Sequence, residues 1–129
     1  MANRPKTSFE FVDDVSGFRA PDSLVVRLEG RLRRKRDLLR ALASGLKFPD
    51  YFGHNWDALE ECLSDLSWLG KQSGIVLVHK YMPLADEEQR RTYADILRHA
   101  QANQRFPLRV VFPRSAQSQI KNINAGSSH

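Results

Sequence analysis

The chain has 129 residues, of which 41% are hydrophobic and 27% charged, the proportions of a globular protein with one core of ordinary size. Its apolar runs are too short to span a membrane and none follows the first residues, so we expect neither a membrane span nor a secretory signal. The single cysteine, Cys62, excludes an internal disulfide and fits a reducing compartment, which predicts a cytoplasmic protein.

Charge is distributed unevenly along the sequence. The 20 Lys and Arg residues exceed the 15 Asp and Glu residues, which gives a net charge of +5 and a pI of about 9.7. A basic cluster, opposed only by Asp37, consists of Arg31, Arg33, Arg34, Lys35, Arg36 and Arg40. An acidic segment follows, with five carboxylates and no Lys or Arg from Asp50 to Asp65. These two segments are candidate binding surfaces of opposite sign.

The chain before the acidic segment predicts one strand and one helix. Residues 1–22 form a mostly polar N-terminal extension, in which the alternating run 9–12 predicts either a short strand or an extended packing arm. Leu24–Leu28 predicts a strand because it is apolar and β-branched and Gly30 follows it. Residues 34–47 predict a helix, with apolar side chains at i, i+3, i+4 and i+7: Leu39, Leu42, Ala43 and Leu46.

The acidic segment predicts a turn, from Pro49 to Gly53, followed by a helix. Asn55 is a favourable N-cap, and Asp57 lies in the first turn, where the helix dipole favours a carboxylate. Helical spacing then produces an apolar stripe of Leu59, Cys62, Leu63 and Leu66. It also produces an acidic stripe of Asp57, Glu60, Glu61 and Ser64. Cys62 is therefore predicted to be a small buried hydrophobe and not a reactive thiol.

The second half predicts two further strands separated by a helix. The continuous apolar run 75–78 is typical of a strand buried on both faces of a parallel sheet. Residues 87–104 predict a helix and 108–112 a strand, whereas 114–129 predict a short helix at most and then a flexible tail. Because each strand is joined to the next through a helix, we expect an α/β domain over residues 23–113. It would contain a three-stranded parallel sheet packed by about four helices.

The sequence gives little support for catalysis. Asp57 and Glu61, four residues apart on one helix face, could act as general acid and base or hold a metal with His54. Such pairs are more often solvated surface charge, and the chain has no Gly-rich phosphate loop, Cys/His ligand pattern or nucleophile elbow. We therefore predict a protein that is not an enzyme and that has no metal or organic cofactor.

The residues alone are compatible with two binding functions. The basic cluster can contact phosphates, but no known nucleic-acid-reading motif accompanies it, so direct nucleic-acid binding is the alternative prediction. The acidic segment places Tyr51 beside a row of carboxylates, a surface that can enter a protein site built for a polyanion. At least one of Phe52 and Trp56 is expected in the core.

A dense motif runs through the acidic segment. Residues 48–59, FPDYFGHNWDAL, combine an apolar residue, Pro, two aromatics, Gly, Asn and Asp-Ala-Leu, and the acidic Glu61 follows two positions later. This pattern resembles that of the barstar family of ribonuclease inhibitors, and the element order agrees with it over about residues 24–112. The resemblance implies a barstar-like fold and a non-enzymatic inhibitor that plugs the active site of a cytoplasmic nuclease with the acidic helix and the loop before it.

The resemblance also implies which residues touch the partner. It places the carboxylate of Glu61 in the phosphate site of the nuclease, with Asp57 also replacing substrate phosphate. The full set of partner-binding residues on this interpretation is Tyr51, Gly53, His54, Asn55, Asp57, Glu60, Glu61, Ser64 and Asp65. The implied partner is a nuclease toxin, in first place a ribonuclease, and the inhibitor is expected to be a monomer when free.

The chain departs from the family at three interface positions. Glu61 replaces an aspartate and so reaches one methylene further, Glu60 replaces a tryptophan, and His99 replaces an acid on the last helix. The chain is also basic where barstar is acidic, so only the local acidic patch attracts a basic nuclease. These departures predict a partner shaped differently from barnase.

Overall fold

The computed structural model of the chain describes residues 9–50, 52–70, 74–103 and 107–120. The strands in these residues are β1 (Glu10–Val12), β2 (Leu24–Leu28), β3 (Ile75–His79) and β4 (Leu108–Pro113). The long helices are α1 (Lys35–Gly45), α2 (Trp56–Asp65) and α3 (Glu87–Asn103). Residues 117–120 are also helical. None of the described helices combines the length and apolarity needed to cross a membrane.

The strands form one parallel sheet in the order β1-β4-β3-β2. The predicted parallel α/β fold is confirmed, but the sheet has four strands where the sequence predicted three. The extra strand is β1, which pairs with the outer edge of β4 in the register Phe11 to Phe112. Arg109 of β4 donates two hydrogen bonds to Glu10 of β1, at 2.8 and 2.7 Å. Residues 10–12 of the predicted N-terminal extension thus belong to the sheet.

The two faces of the sheet are covered differently. Ile75 and Leu77 of β3 pack with the main core, to which α1, α2 and α3 contribute. Val76 and Val78 face the other way and pack with Val111 and with the connection between β1 and β2. Every residue of β3 is buried, as its continuous apolar run predicted. The helices therefore lie on one face of the sheet, and α2 presents its outer side to solvent.

The chain beyond β4 begins with a packed segment. Ala116 and Ile120 are buried in the main core although both fall within the predicted tail, residues 114–129. Residues 121–129 of that prediction lie outside the described residues. The burial of Ile120 shows that the core extends past the last strand.

Candidate functional site

The loop between α1 and α2 is fixed by aromatic packing. The Phe52 N–H donates to the Pro49 carbonyl at 3.0 Å, which closes the predicted turn. The Phe48 ring lies 4.8 Å from the Phe52 ring and 6.0 Å from Trp68, whose indole N–H donates to a backbone carbonyl at 2.9 Å. Phe52 is buried, as expected for at least one of the two aromatic candidates. Tyr51, predicted to contact a partner, lies outside the described residues.

The entry into α2 is held by the predicted N-cap. The Asn55 side-chain oxygen accepts a hydrogen bond from the Ala58 N–H at 2.8 Å, which confirms the cap. His54, just before it, has a left-handed backbone (φ 54°) and its ring lies 4.7 Å from Phe52. A Cβ on Gly53 would lie 3.1 Å from the Asn55 amide nitrogen, so glycine leaves room for the cap. Gly53, His54 and Asn55 are all exposed.

Helix α2 separates apolar from acidic residues as its spacing predicted. Its buried positions are Leu59, Cys62 and Leu63, and Leu66 caps its end and is also buried. Burial raises the pKa of the Cys62 thiol, and the charges of Glu61 and Asp65 raise it further, so the thiol stays protonated at neutral pH. The outward side, called here the acidic face, consists of Asp57, Glu60, Glu61, Ser64 and Asp65. Glu60 is half-buried and the other four are exposed.

The carboxylates of the acidic face have few partners within the protein. Among the described residues, none of the ion pairs formed by lysine or arginine involves an acid of α2. Asp65 accepts a hydrogen bond from the Ser67 N–H at 3.3 Å, and Glu60 lies 3.4 Å from the Nδ1 atom of His99 on α3. The charge of Asp57 and Glu61 is thus available to a partner molecule.

The acidic face borders α3 at His99. This residue, which the sequence placed at the position of a family interface acid, lies at the border of α2 and α3 with 66% of its side chain exposed. The structure brings it beside Glu60, 39 positions away along the chain. The two departures from the family pattern at these positions are therefore neighbours in space.

A basic surface adjoins the acidic face, and its position was not predicted. The Lys35 ammonium, at the start of α1, lies 5.3 Å from the centre of the Trp56 ring at the start of α2. Tyr81 and Arg90, to which the sequence interpretation gave no role, lie near the arginines that follow β2. The order of elements could have indicated this position, because parallel strands bring together the loops that follow their carboxyl ends.

The fold and the site together define a class: small parallel α/β domains with an exposed acidic helix. In the described residues no three His, Cys, Asp or Glu side chains come together as a metal site. The family model described as Barstar (barnase inhibitor) matches residues 23–113, and the chain belongs to this family. The family is one of inhibitors and not of enzymes. No curated protein and no solved structure matches the chain.

Proposed function

We propose that this chain is a protein inhibitor that binds a nuclease, in first place a ribonuclease, and covers its active site. The contact surface is the acidic face together with the loop of residues 48–55. The observation that carries this proposal is a row of exposed carboxylates without lysine or arginine partners among the described residues, in a chain of net charge +5. Membership of the barstar family supports it.

The chemistry of the acidic face suits a site that binds phosphates. Nuclease sites hold the substrate backbone with cationic groups, and a carboxylate can accept their charge-assisted hydrogen bonds in place of a phosphate. Asp57 and Glu61 are four residues apart on α2, so their side chains are neighbours and can meet two such groups at once. Glu61 would enter the phosphate site, and Glu60, Ser64 and Asp65 would contact its rim.

The described residues of the loop before α2 support tight binding because contacts within the protein already hold them in place. A contact surface that is rigid before association loses less conformational entropy when the complex forms. The hydrogen bond at Pro49, the packed Phe52 ring and the Asn55 cap fix these described residues in the free protein. Gly53, His54 and Asn55 are exposed and would contact the partner beside Tyr51.

The proposed setting is the cytoplasm, where such an inhibitor acts as an antitoxin or immunity protein. It would be a monomer when free and would form a complex with its cognate nuclease toxin. The departures at Glu60, Glu61 and His99 favour a nuclease whose site differs in shape from that of barnase.

The decisive test is recovery of the partner. The full chain, immobilised, is incubated with an extract of the cells that produce it, and the eluate is assayed for cleavage of RNA and of DNA. We expect a nuclease that elutes with the wild-type chain, cleaves RNA, and is inhibited when the chain is added back. An eluate without nuclease activity, together with no nuclease protein by mass spectrometry, would refute the proposal.

The acidic face is tested by Asp57→Ala combined with Glu61→Ala. We expect inhibition to be lost, with Kd raised by about 30-fold to several thousand-fold, corresponding to about 2–5 kcal/mol. This range is the general one for charged groups at interfaces, and barnase–barstar is one of the complexes from which it was measured. Isothermal titration calorimetry with the recovered nuclease measures the change.

A matched control removes two exposed acids elsewhere. Asp22→Ala with Glu29→Ala changes the net charge equally but leaves α2 and its loop intact, so affinity should stay near the wild-type value. Asp57 and Glu61 are exposed, so the test variant should keep its circular dichroism spectrum. Wild-type affinity in the folded test variant would mean that the acidic face is not the contact surface.

A further inference from the structure

A pocket of about 130 Å³ lies at the carboxyl ends of β2 and β3, on the side where open parallel sheets commonly bind ligands. It is called here the basic pocket, and the residues that matter in it are Arg31, Arg33, Tyr81, Leu84, Ala85 and Arg90. The first two come from the loop after β2, the next three from the loop after β3, and the last from α3. Among the residues that the structure describes, no acidic side chain lines it.

Hydrogen bonds between the two loops fix the shape of the basic pocket. The Leu84 N–H donates to the Leu32 carbonyl and the Ala85 N–H to the Arg33 carbonyl, each at 2.9 Å. Leu32 and Leu84 both adopt left-handed backbone, with φ of 49° and 67°. That conformation is unfavourable for a leucine and persists only where the surroundings impose it, a situation common at functional sites. The pocket is thus formed before any ligand binds.

Two arginines of the basic pocket are oriented by the protein. The Arg90 Nε–H donates to the Leu84 carbonyl at 2.8 Å and one of its terminal nitrogens donates to Ala85 at 3.2 Å. The Arg31 guanidinium lies over the Tyr81 ring, 4.4 Å from its centre. Arg33, the third arginine of the basic pocket, is exposed to solvent. These contacts orient guanidinium groups without neutralising them.

The positive charge continues from the basic pocket along α1. Arg34, Lys35 and Arg36 lie at the start of this helix, where cations are unfavourable, and the Arg34 side chain makes no capping hydrogen bond. Arg36 and Arg40 are exposed and four residues apart, so they are neighbours on the helix surface. Cations at this end of a helix cost helix stability, and a local cost of this kind is typical of residues kept for binding.

We propose that the basic pocket and the exposed arginines of α1 bind the phosphates of single-stranded RNA. A strand offers repeated phosphates to a row of guanidinium groups, which bind phosphate in a bidentate manner. Its unpaired bases can stack on an arginine plane such as that of Arg31, which Tyr81 already supports from the other side. The neighbouring acidic face repels the strand and so confines it to the basic surface.

The test uses the full chain and a fluorescein-labelled RNA of mixed sequence, about 12 nucleotides long, a length that one small domain can cover. Anisotropy titrations are made between about 50 and 200 mM KCl. Arg31→Ala with Arg33→Ala should weaken binding about ten-fold at low salt and reduce the slope of log K against log[salt] by about 1.4, the value for two lost single-strand phosphate contacts. Unlabelled inorganic phosphate at equal phosphate concentration should not displace the RNA.

The matched control is Arg19→Ala with Lys47→Ala, two exposed cations on the β1–β2 connection and at the far end of α1. It changes net charge equally and should keep the wild-type slope.

Absence of RNA binding by the wild type at low salt would overturn the proposal, and so would equal losses of affinity in both variants. Displacement of RNA by an equal charge of polyglutamate would point to an acidic protein instead and would also overturn it. Nuclease inhibition should not be weakened in Arg31→Ala with Arg33→Ala, because neither residue belongs to the acidic face or its loop, so the two proposals fail independently.

Discussion

At the scale of single residues, His79 is an ionisable side chain that the fold keeps neutral. It is buried at the end of β3, stacked 4.2 Å from the Phe112 ring. Its Nδ1–H donates to the Val111 carbonyl at 3.0 Å, and its Nε2 accepts from the Tyr93 hydroxyl at 2.7 Å. Burial lowers the pKa of His79 from 6.5 to about 4, although the Val111 carbonyl favours the charged form.

This depressed pKa predicts a loss of stability in mild acid. Above pH 6.5 His79 is neutral in both states, whereas between pH 6.5 and about 4 only the unfolded chain gains the proton. The free energy of unfolding should therefore fall as pH falls through this window, by about 3 kcal/mol in all. Below about pH 4 both states are protonated and His79 adds no further loss. Urea unfolding at a series of pH values measures the change.

A variant that cannot titrate isolates the contribution of His79. His79→Gln can still donate to Val111 and accept from Tyr93, so it should fold with lower stability at neutral pH but with a flatter dependence between pH 6.5 and about 5. Ser44→Ala, an exposed change that removes no ionisable group, should keep the wild-type slope. Identical slopes in the wild type and His79→Gln would show that His79 is not the group responsible.

At the scale of secondary structure elements, α1 and β2 approach each other closely at Gly45. A Cβ built on this glycine would lie 2.4 Å from the Cγ1 atom of Val26, which no real contact tolerates without a shift. The glycine is unfavourable for the helix but lets its last turn reach the strand. No local sequence pattern reveals this contact, because it joins residues 19 positions apart.

We expect Gly45→Ala to destabilise the protein despite its better helix propensity. Overpacking costs about 1–3 kcal/mol and alanine recovers about 1 kcal/mol, so a net loss of up to about 2 kcal/mol should appear in urea unfolding. Ser44→Ala, at the exposed neighbouring position, should change stability by less than about 0.5 kcal/mol. The double variant Gly45→Ala with Val26→Ala should be less destabilised than the sum of the two single variants, because the smaller side chain at position 26 leaves room for the new methyl group. Strict additivity would contradict the close contact.

At the scale of the whole molecule, the net positive charge of the chain disfavours its association with the proposed partner. A nuclease with a cationic site is attracted by the acidic face but repelled by the basic cluster, part of which lies beside it through Lys35 and Trp56. Steering of charged proteins acts mainly on the association rate, which salt modulates. The chain should therefore associate more slowly than its acidic face alone would allow.

Removing charge from the basic cluster should speed association. We expect Arg36→Gln with Arg40→Gln to raise the association rate constant about 2–10-fold at low salt, with little change in the dissociation rate. The gain should shrink as salt increases. Arg19→Gln, on the β1–β2 connection that packs against the opposite face of the sheet from the helices, should have a smaller effect. Stopped-flow fluorescence with the recovered nuclease measures these rates, and an unchanged or lower rate in the first variant would contradict the electrostatic picture.

The sequence alone determined the features that depend on near neighbours. The buried and acidic sides of α2, the Asn55 cap and the uninterrupted burial of β3 follow from spacings of a few residues, and the structure confirms each of them. Such patterns can be recognised in the sequence because helix and strand geometry repeats every few residues.

Only the tertiary structure decided what depends on residues far apart in the chain. It placed β1 against β4, packed Ile120 into the core, set His99 beside Glu60, and joined the loops after β2 and β3 into one basic pocket. The run 9–12 was compatible with a strand or a packing arm, and the choice needed the free edge of β4, about a hundred residues later. Contacts of this kind carry no local periodicity, because they exist only when the sheet has formed.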